Sequence, residues 1–194
     1  MNELKFETRQ VVEGLNRILA NAQHTREALD VIGVYLVEMI RKTIRSEGGG
    51  SWTKSKAAAE RGGQTLRSKG KFYNSFAYEI RDGEVVAGSN AVQARILYEG
   101  GDIRPVNKKF LTVPIHKLAL GKRAGDFKNT YAVFGKSDKS TGVIMLDRGG
   151  KGEDLPIFAL VKKVTIPGWD YLKVSETDVK RIQNIGVRHL LNIE

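Results

Sequence analysis

Phe76-Ala77-Tyr78-Glu79-Ile80-Arg81-Asp82-Gly83-Glu84-Val85-Val86-Ala87-Gly88 is the stretch at which the chain changes its hydrophobic period. Phe76, Tyr78 and Ile80 alternate with polar neighbours, as a strand with one covered face requires. Asp82-Gly83 is a two-residue hairpin turn signal, so Glu84 to Gly88 is expected to return antiparallel to it. On the N-terminal side the period is helical. Val11, Leu15, Ile18, Leu19 and Ala22 form one apolar stripe, and Leu29, Ile32, Leu36, Ile40 and Ile44 form a second. The second helix is expected to start at Thr25 or Asp30 and to end at Ser46-Glu47-Gly48-Gly49-Gly50, where glycine does not sustain it.

On the C-terminal side, Ala91, Ala94, Arg95 and Tyr98 predict a short helix stopped by Gly100-Gly101. Phe110 to Ile115, Tyr131 to Phe134, Gly142 to Leu146 and Pro156 to Ile166 read as strands separated by Lys- and Gly-rich loops. Ser175-Glu176-Thr177-Asp178 resembles a helix-start box, followed by Val179, Ile182, Ile185 and Leu190 on one face. The pattern predicts an α+β fold, with N-terminal helices, a central antiparallel sheet with a short crossing helix, and a C-terminal helix. At 194 residues the chain is expected to form a single domain.

With 41% hydrophobic and 28% charged residues this is the composition of a soluble globular protein. Apolar runs such as Val31 to Leu36 stop well short of the ~20 residues a membrane helix needs, so no membrane partner is expected. Met1-Asn2-Glu3-Leu4-Lys5-Phe6-Glu7 has neither the basic start, the apolar run nor the small-residue cleavage site of a secretion signal, so nothing there marks the chain for secretion. The sequence has no cysteine, which removes disulfides, thiolate metal sites and thiol nucleophiles.

The formal charge is +10 and it is unevenly distributed. Between residues 41 and 81, Arg41, Lys42, Arg45, Lys54, Lys56, Arg61, Arg67, Lys69, Lys71 and Arg81 face only Glu47, Glu60 and Glu79. Such a surface attracts a polyanion, either DNA phosphates or an acidic face of a partner protein; a solvated surface with no partner is the other reading. The segment 48–70 is rich in Gly, Ser, Lys and Ala and has few large apolar groups beyond Trp52 and Leu66, so it is expected to be a flexible basic arm. Lys54, Lys56, Arg61, Arg67, Lys69 and Lys71 are its candidate partner- or DNA-contacting residues. Phe72, Tyr73, Phe76 and Tyr78 follow the arm and have the spacing of bases stacked on a sheet, but the alternation of a strand packed on one face accounts for them without a ligand.

Catalytic signatures are sparse, and the chain is expected to be non-enzymatic, with no cofactor or metal site. Gly135-Lys136-Ser137 has the ending of a phosphate-binding loop, but Thr130 stands where the leading glycine belongs. Gly149-Gly150-Lys151-Gly152 lacks the strand-to-helix setting of a dinucleotide fingerprint. His24, His116 and His189 have no carboxylate or second histidine at ligand spacing, and Asp147, Glu153 and Asp154 read as solvated loop charges.

Several blocks then occur in a recognisable order: Leu66-Arg67-Ser68-Lys69-Gly70-Lys71-Phe72-Tyr73-Asn74-Ser75-Phe76, Val85-Val86-Ala87-Gly88-Ser89-Asn90, Ala94-Arg95-Ile96-Leu97-Tyr98-Glu99-Gly100-Gly101, Lys109-Phe110-Leu111-Thr112-Val113-Pro114, and Val161-Lys162-Lys163-Val164-Thr165-Ile166-Pro167. Together they resemble the phage virion morphogenesis family, which includes tail-completion proteins, over about residues 30 to 185. Departures occur at Arg95-Ile96-Leu97 and at Trp169, where relatives carry an arginine. The resemblance implies a structural building block of a phage or prophage particle, acting in tail completion or head-tail joining as a ring component. It implies a homo-oligomer that contacts other head, neck or tail proteins, found in the virion and assembled in the host cytoplasm. A DNA-binding accessory protein using the basic 41–81 region is the alternative.

Overall fold

The computed structural model describes residues 8–135, 141–150 and 152–192. The chain folds into two compact units, and it passes between them several times. Unit 1 takes Met1–Ser46, Gly70–Ala91 and Tyr171–Glu194, and unit 2 takes Glu47–Lys69 and Val92–Asp170.

Unit 1 is built from helix α1 (Thr8–Gln23), helix α2 (Arg26–Arg45), the hairpin of strands β1 (Phe76–Arg81) and β2 (Glu84–Ser89), and helix α5 (Glu176–Leu191) at the C-terminal end. The hairpin has the register Phe76↔Ser89 to Arg81↔Glu84. Its turn places Asp82 at φ 50° and Gly83 at φ 81°, the two left-handed residues that this tight turn needs. Helix α2 lies against both hairpin strands and against α5. Its most buried line is Ala28, Gly33, Val37, Met39, Ile40 and Ile44, so the expected stripe is rotated slightly: Ile40 and Ile44 are buried, while Leu29, Ile32 and Leu36 are half-buried. Gly33 is glycine because the hairpin comes so close. A Cβ there would lie 2.2 Å from the Tyr78 ring, whose hydroxyl donates to Asp30 at 3.2 Å.

Phe72, Phe76 and Tyr171 meet edge to face, with centroids 5.1–5.6 Å apart. All three are buried. Core packing therefore explains these aromatics, and no stacking platform for bases is left on that face. The C-terminal helix starts as its box predicts: the Asp178 amide donates to the Ser175 hydroxyl at 3.2 Å, and the Ser175 amide donates back to Asp178 at 2.9 Å. The Tyr35 hydroxyl also donates to Asp178, at 2.6 Å, which ties α2 to α5. Thr25 flanks the start of α2 without a side-chain cap.

Unit 2 holds a four-stranded antiparallel sheet in the order β4-β7-β6-β5: β4 Leu111–Pro114, β5 Thr130–Phe134, β6 Gly142–Leu146 and β7 Leu155–Val161. A separate pair joins β3 (Gly101–Ile103) to β8 (Val164–Ile166). Helices α3 (Lys56–Arg61) and α4 (Ala94–Glu99) complete it. Ala119, Ile157 and Phe158 are its fully buried centre, packed against Phe127, Ile144, Leu146 and Leu155. The α+β class holds, and the antiparallel strands are distributed over three sheets instead of one. The run Pro156 to Ile166 accordingly divides at Lys162-Lys163 into β7 and β8.

The expected flexible arm at 48–70 is folded in the structure. Ser55 caps α3 by accepting the Ala58 amide at 3.2 Å, and Ala58 and Thr65 are wholly buried. The Thr65 hydroxyl accepts the Ser55 amide at 3.1 Å, and the Thr65 amide donates to the Glu47 carboxylate at 2.7 Å. The Trp169 indole donates to the Thr53 carbonyl at 3.0 Å. Polar closure of this kind leaves no trace in apolar composition, which is why the sequence reads as an arm.

Candidate interaction surface

The six basic residues singled out in the sequence are divided between the two units. Lys54, Lys56, Arg61, Arg67 and Lys69 belong to unit 2, and Lys71 belongs to unit 1, beside the buried Phe72. Lys54, Lys56, Arg67, Lys69 and Lys71 are exposed. Arg61 is half-buried and engaged in its own helix end: its guanidinium donates to the Ala57 carbonyl at 3.1 Å and to the Gln64 carbonyl at 3.0 Å. That is the C-terminal role expected of a cation at orphan carbonyls. Arg67 donates to the Gln64 side chain at 2.9 Å. The Thr65 amide, with a smaller contribution from Lys54, holds the Glu47 carboxyl below its ordinary pKa although desolvation opposes this.

Sequence reasoning missed a second group of cations, on a connection that the fold brings against Lys69. The connection from β4 to β5 carries Lys117, Lys122, Arg123 and Lys128, all exposed, and is anchored by the buried Ala119. Gly121 in this connection adopts φ 74°, and a Cβ there would lie 3.2 Å from the Lys69 ammonium. Lys69 therefore sits against the backbone next to Lys122 and Arg123. Lys122 itself lies 5.2 Å from the centre of the Phe127 ring. Three other cations of unit 2 form ion pairs: Arg95 with Glu99 at 2.9 Å, and Lys163 and Arg104 with Asp102 at 3.2 and 3.7 Å.

Charge summed by unit sharpens the picture. The segments of unit 2 contain 19 Lys and Arg against ten Asp and Glu, a formal +9, and those of unit 1 contain 13 against 12, a formal +1. Counting charge along contiguous windows hides this, because the chain alternates between the units. Unit 2 thus carries nearly all of the positive field, and that field attracts a polyanionic surface or strand.

Reactive groups, in contrast, are engaged in holding loops and helix ends. His116 accepts the Leu118 amide on Nδ1 at 3.2 Å, and His189 Nε2 lies 2.9 Å from the His24 carbonyl. Asp154 accepts the Tyr131 hydroxyl at 2.6 Å and the Arg148 amide at 3.2 Å, and these bonds hold its carboxyl below its ordinary pKa. Asp147 accepts the Gly149 amide at 2.7 Å. Among the described residues no three His, Asp or Glu side chains are grouped to hold a metal ion. Lys136 and Ser137 of the partial phosphate-loop signature lie outside the described residues, as does Lys151 of the Gly149–Gly152 run. Nor is any helix among the described residues long and apolar enough to cross a membrane.

The fold is α+β, with one strongly basic unit and one almost neutral unit. The chain belongs to the phage virion morphogenesis family, whose model matches residues 6–191. Its role is therefore structural or in assembly of a phage particle, in association with other phage proteins. No curated protein and no solved structure matches the chain.

Proposed function

We propose that this protein is a non-catalytic component of a phage or prophage particle that acts in tail completion or head-to-tail joining, as one subunit of a homo-oligomeric ring. The family match over nearly the whole chain carries the reading. The division of charge supports an assembly role, since a basic unit suits an acidic face of another protein of the particle and steers encounter with it. Particles are put together in the host cytoplasm and the protein remains in the virion. The test is complementation of a phage lacking this gene. Filled heads and separate tails should accumulate without the protein and join when it is supplied; normal particles in its absence would sink the proposal.

The charge of unit 2 favours one second reading, a DNA-contacting role for Lys54, Lys56, Arg67 and Lys69 together with Lys122 and Arg123. It predicts DNA retention that falls steeply with salt and is lost in the Lys69→Glu, Lys122→Glu, Arg123→Glu variant. Retention that is absent at low salt, or unchanged in that variant, removes this reading.

A further inference from the structure

Helix α1 is seated on its own unit by the wrong side for its sequence. Its contact is with α5, and of its residues from Val11 onward only Gly14 and Asn21 are even half-buried. Asn21 donates to the carbonyls of His189 and Leu190 at 3.3 and 3.0 Å, satisfying orphan acceptors near the end of α5. Gly14 and Asn21 are two turns apart, on a line roughly 120° round the helix from the apolar stripe at 100° per residue. That stripe is left in solvent: Val11 is 62% exposed, Val12 50%, Leu15 60% and Leu19 60%, with Ile18 at its edge 37% exposed. An amphipathic helix normally buries this face first.

We infer that the stripe of α1 is covered by the α1 stripe of a second copy of this chain, packed antiparallel about Leu15. Three observations select that occupant. The spacing Val11, Leu15, Ile18, Ala22 is that of a helix-helix seam, and a two-fold axis at Leu15 sets Val11 against Leu19 and Val12 against Ile18, so the stripe is complementary to itself. The exposed side chains offer roughly 450 Å² of apolar surface per copy, which with a polar rim approaches the ~800 Å² per partner of a stable interface. Electrostatics permits the approach here: two copies at +10 repel, but the segments of unit 1 carry only +1, and within α1 Arg9 and Arg17 against Glu13 leave a formal +1. The inference rests on the reading that the chain self-associates and goes beyond it by naming a surface. The contact is isologous, so it joins copies in pairs and is distinct from the head-to-tail contacts that close a ring.

The absence of cysteine makes the test direct. Leu15→Cys in the full chain should form disulfide-linked dimers under mild oxidation, because the two-fold brings residue 15 against itself. Ala20→Cys, also exposed but on another face, should not. Leu15→Glu with Leu19→Glu should halve the mass measured by light scattering while circular dichroism keeps the parent's helix and strand content, since within a single copy both side chains are mostly in water. If the parent forms oligomers but Leu15→Cys links no better than Ala20→Cys, or the double variant keeps the parent mass, the α1 pairing is wrong and self-association stands. A parent that is monomeric at every concentration measured overturns both.

Discussion

Thr65→Val would test whether the segment between α2 and the hairpin is a folded part of unit 2. Valine keeps the shape of this wholly buried side chain and removes the oxygen that accepts the Ser55 amide. An amide left partly buried without its partner costs ~1–3 kcal/mol. Ser55 is also the cap of α3, so some of the ~1 kcal/mol typical of a cap is at stake as well. A loss of ~2 kcal/mol with a urea slope of ~2 kcal/mol/M lowers the unfolding midpoint by ~1 M if the segment unfolds with the rest. If it opens separately, the loss appears as roughly ten- to hundredfold faster hydrogen exchange at the Ser55 and Thr65 amides. Thr65→Ser is the control: it keeps the acceptor and gives up one methyl, ~0.8 kcal/mol. Serine should therefore be milder than valine by both measurements. The reverse order, or parent-like exchange at those amides in the valine variant, would show that the hydrogen bond does not close the segment.

Phe158→Ala removes the largest fully buried side chain of unit 2 and its edge contact with Phe127, and should destabilise by ~3–5 kcal/mol in urea unfolding. Acid should weaken unit 1 through Asp178, whose carboxyl is held below its ordinary pKa by the Ser175 hydroxyl first and the Tyr35 hydroxyl second. A depressed folded-state value means the stabilisation is complete above the unfolded carboxylate value of ~3.9 and is lost as pH falls through the folded one. The thermal midpoint of Asp178→Asn should accordingly depend less on pH below about 4 than that of the parent, and identical slopes would refute the assignment.

Elements with a strong local period were legible in the sequence. The Asp82-Gly83 hairpin, the capping box at Ser175 and the strand Gly142–Leu146 need only near neighbours to be specified, and all three stand where expected. Contacts distant in sequence were not legible. Nothing local to residues 48–70 announces that Thr65 will meet both Glu47 and Ser55, or that Trp169 will reach the Thr53 carbonyl. The same holds for the basic surface, where Lys69 and the connection bearing Lys122 and Arg123 come together only through the fold. Trp169, read as a departure from the family lettering, is buried at 5% exposure, so its position in this chain is one of packing.

The interleaving of the two units has a physical consequence for assembly. Because the chain enters unit 2 twice and leaves it twice, basic residues from separate stretches accumulate on one body while the other stays close to neutral. Contacts made by unit 2 are then dominated by charge, and salt at physiological strength already limits their reach to ~8 Å. Contacts made by the α1 stripe depend on apolar burial, which salt leaves intact or strengthens. One chain can thereby hold two kinds of neighbour under opposite responses to ionic strength. On the proposed pairing, charge steering through unit 2 would bring an acidic or polyanionic partner, and apolar closure at α1 would hold the copies together.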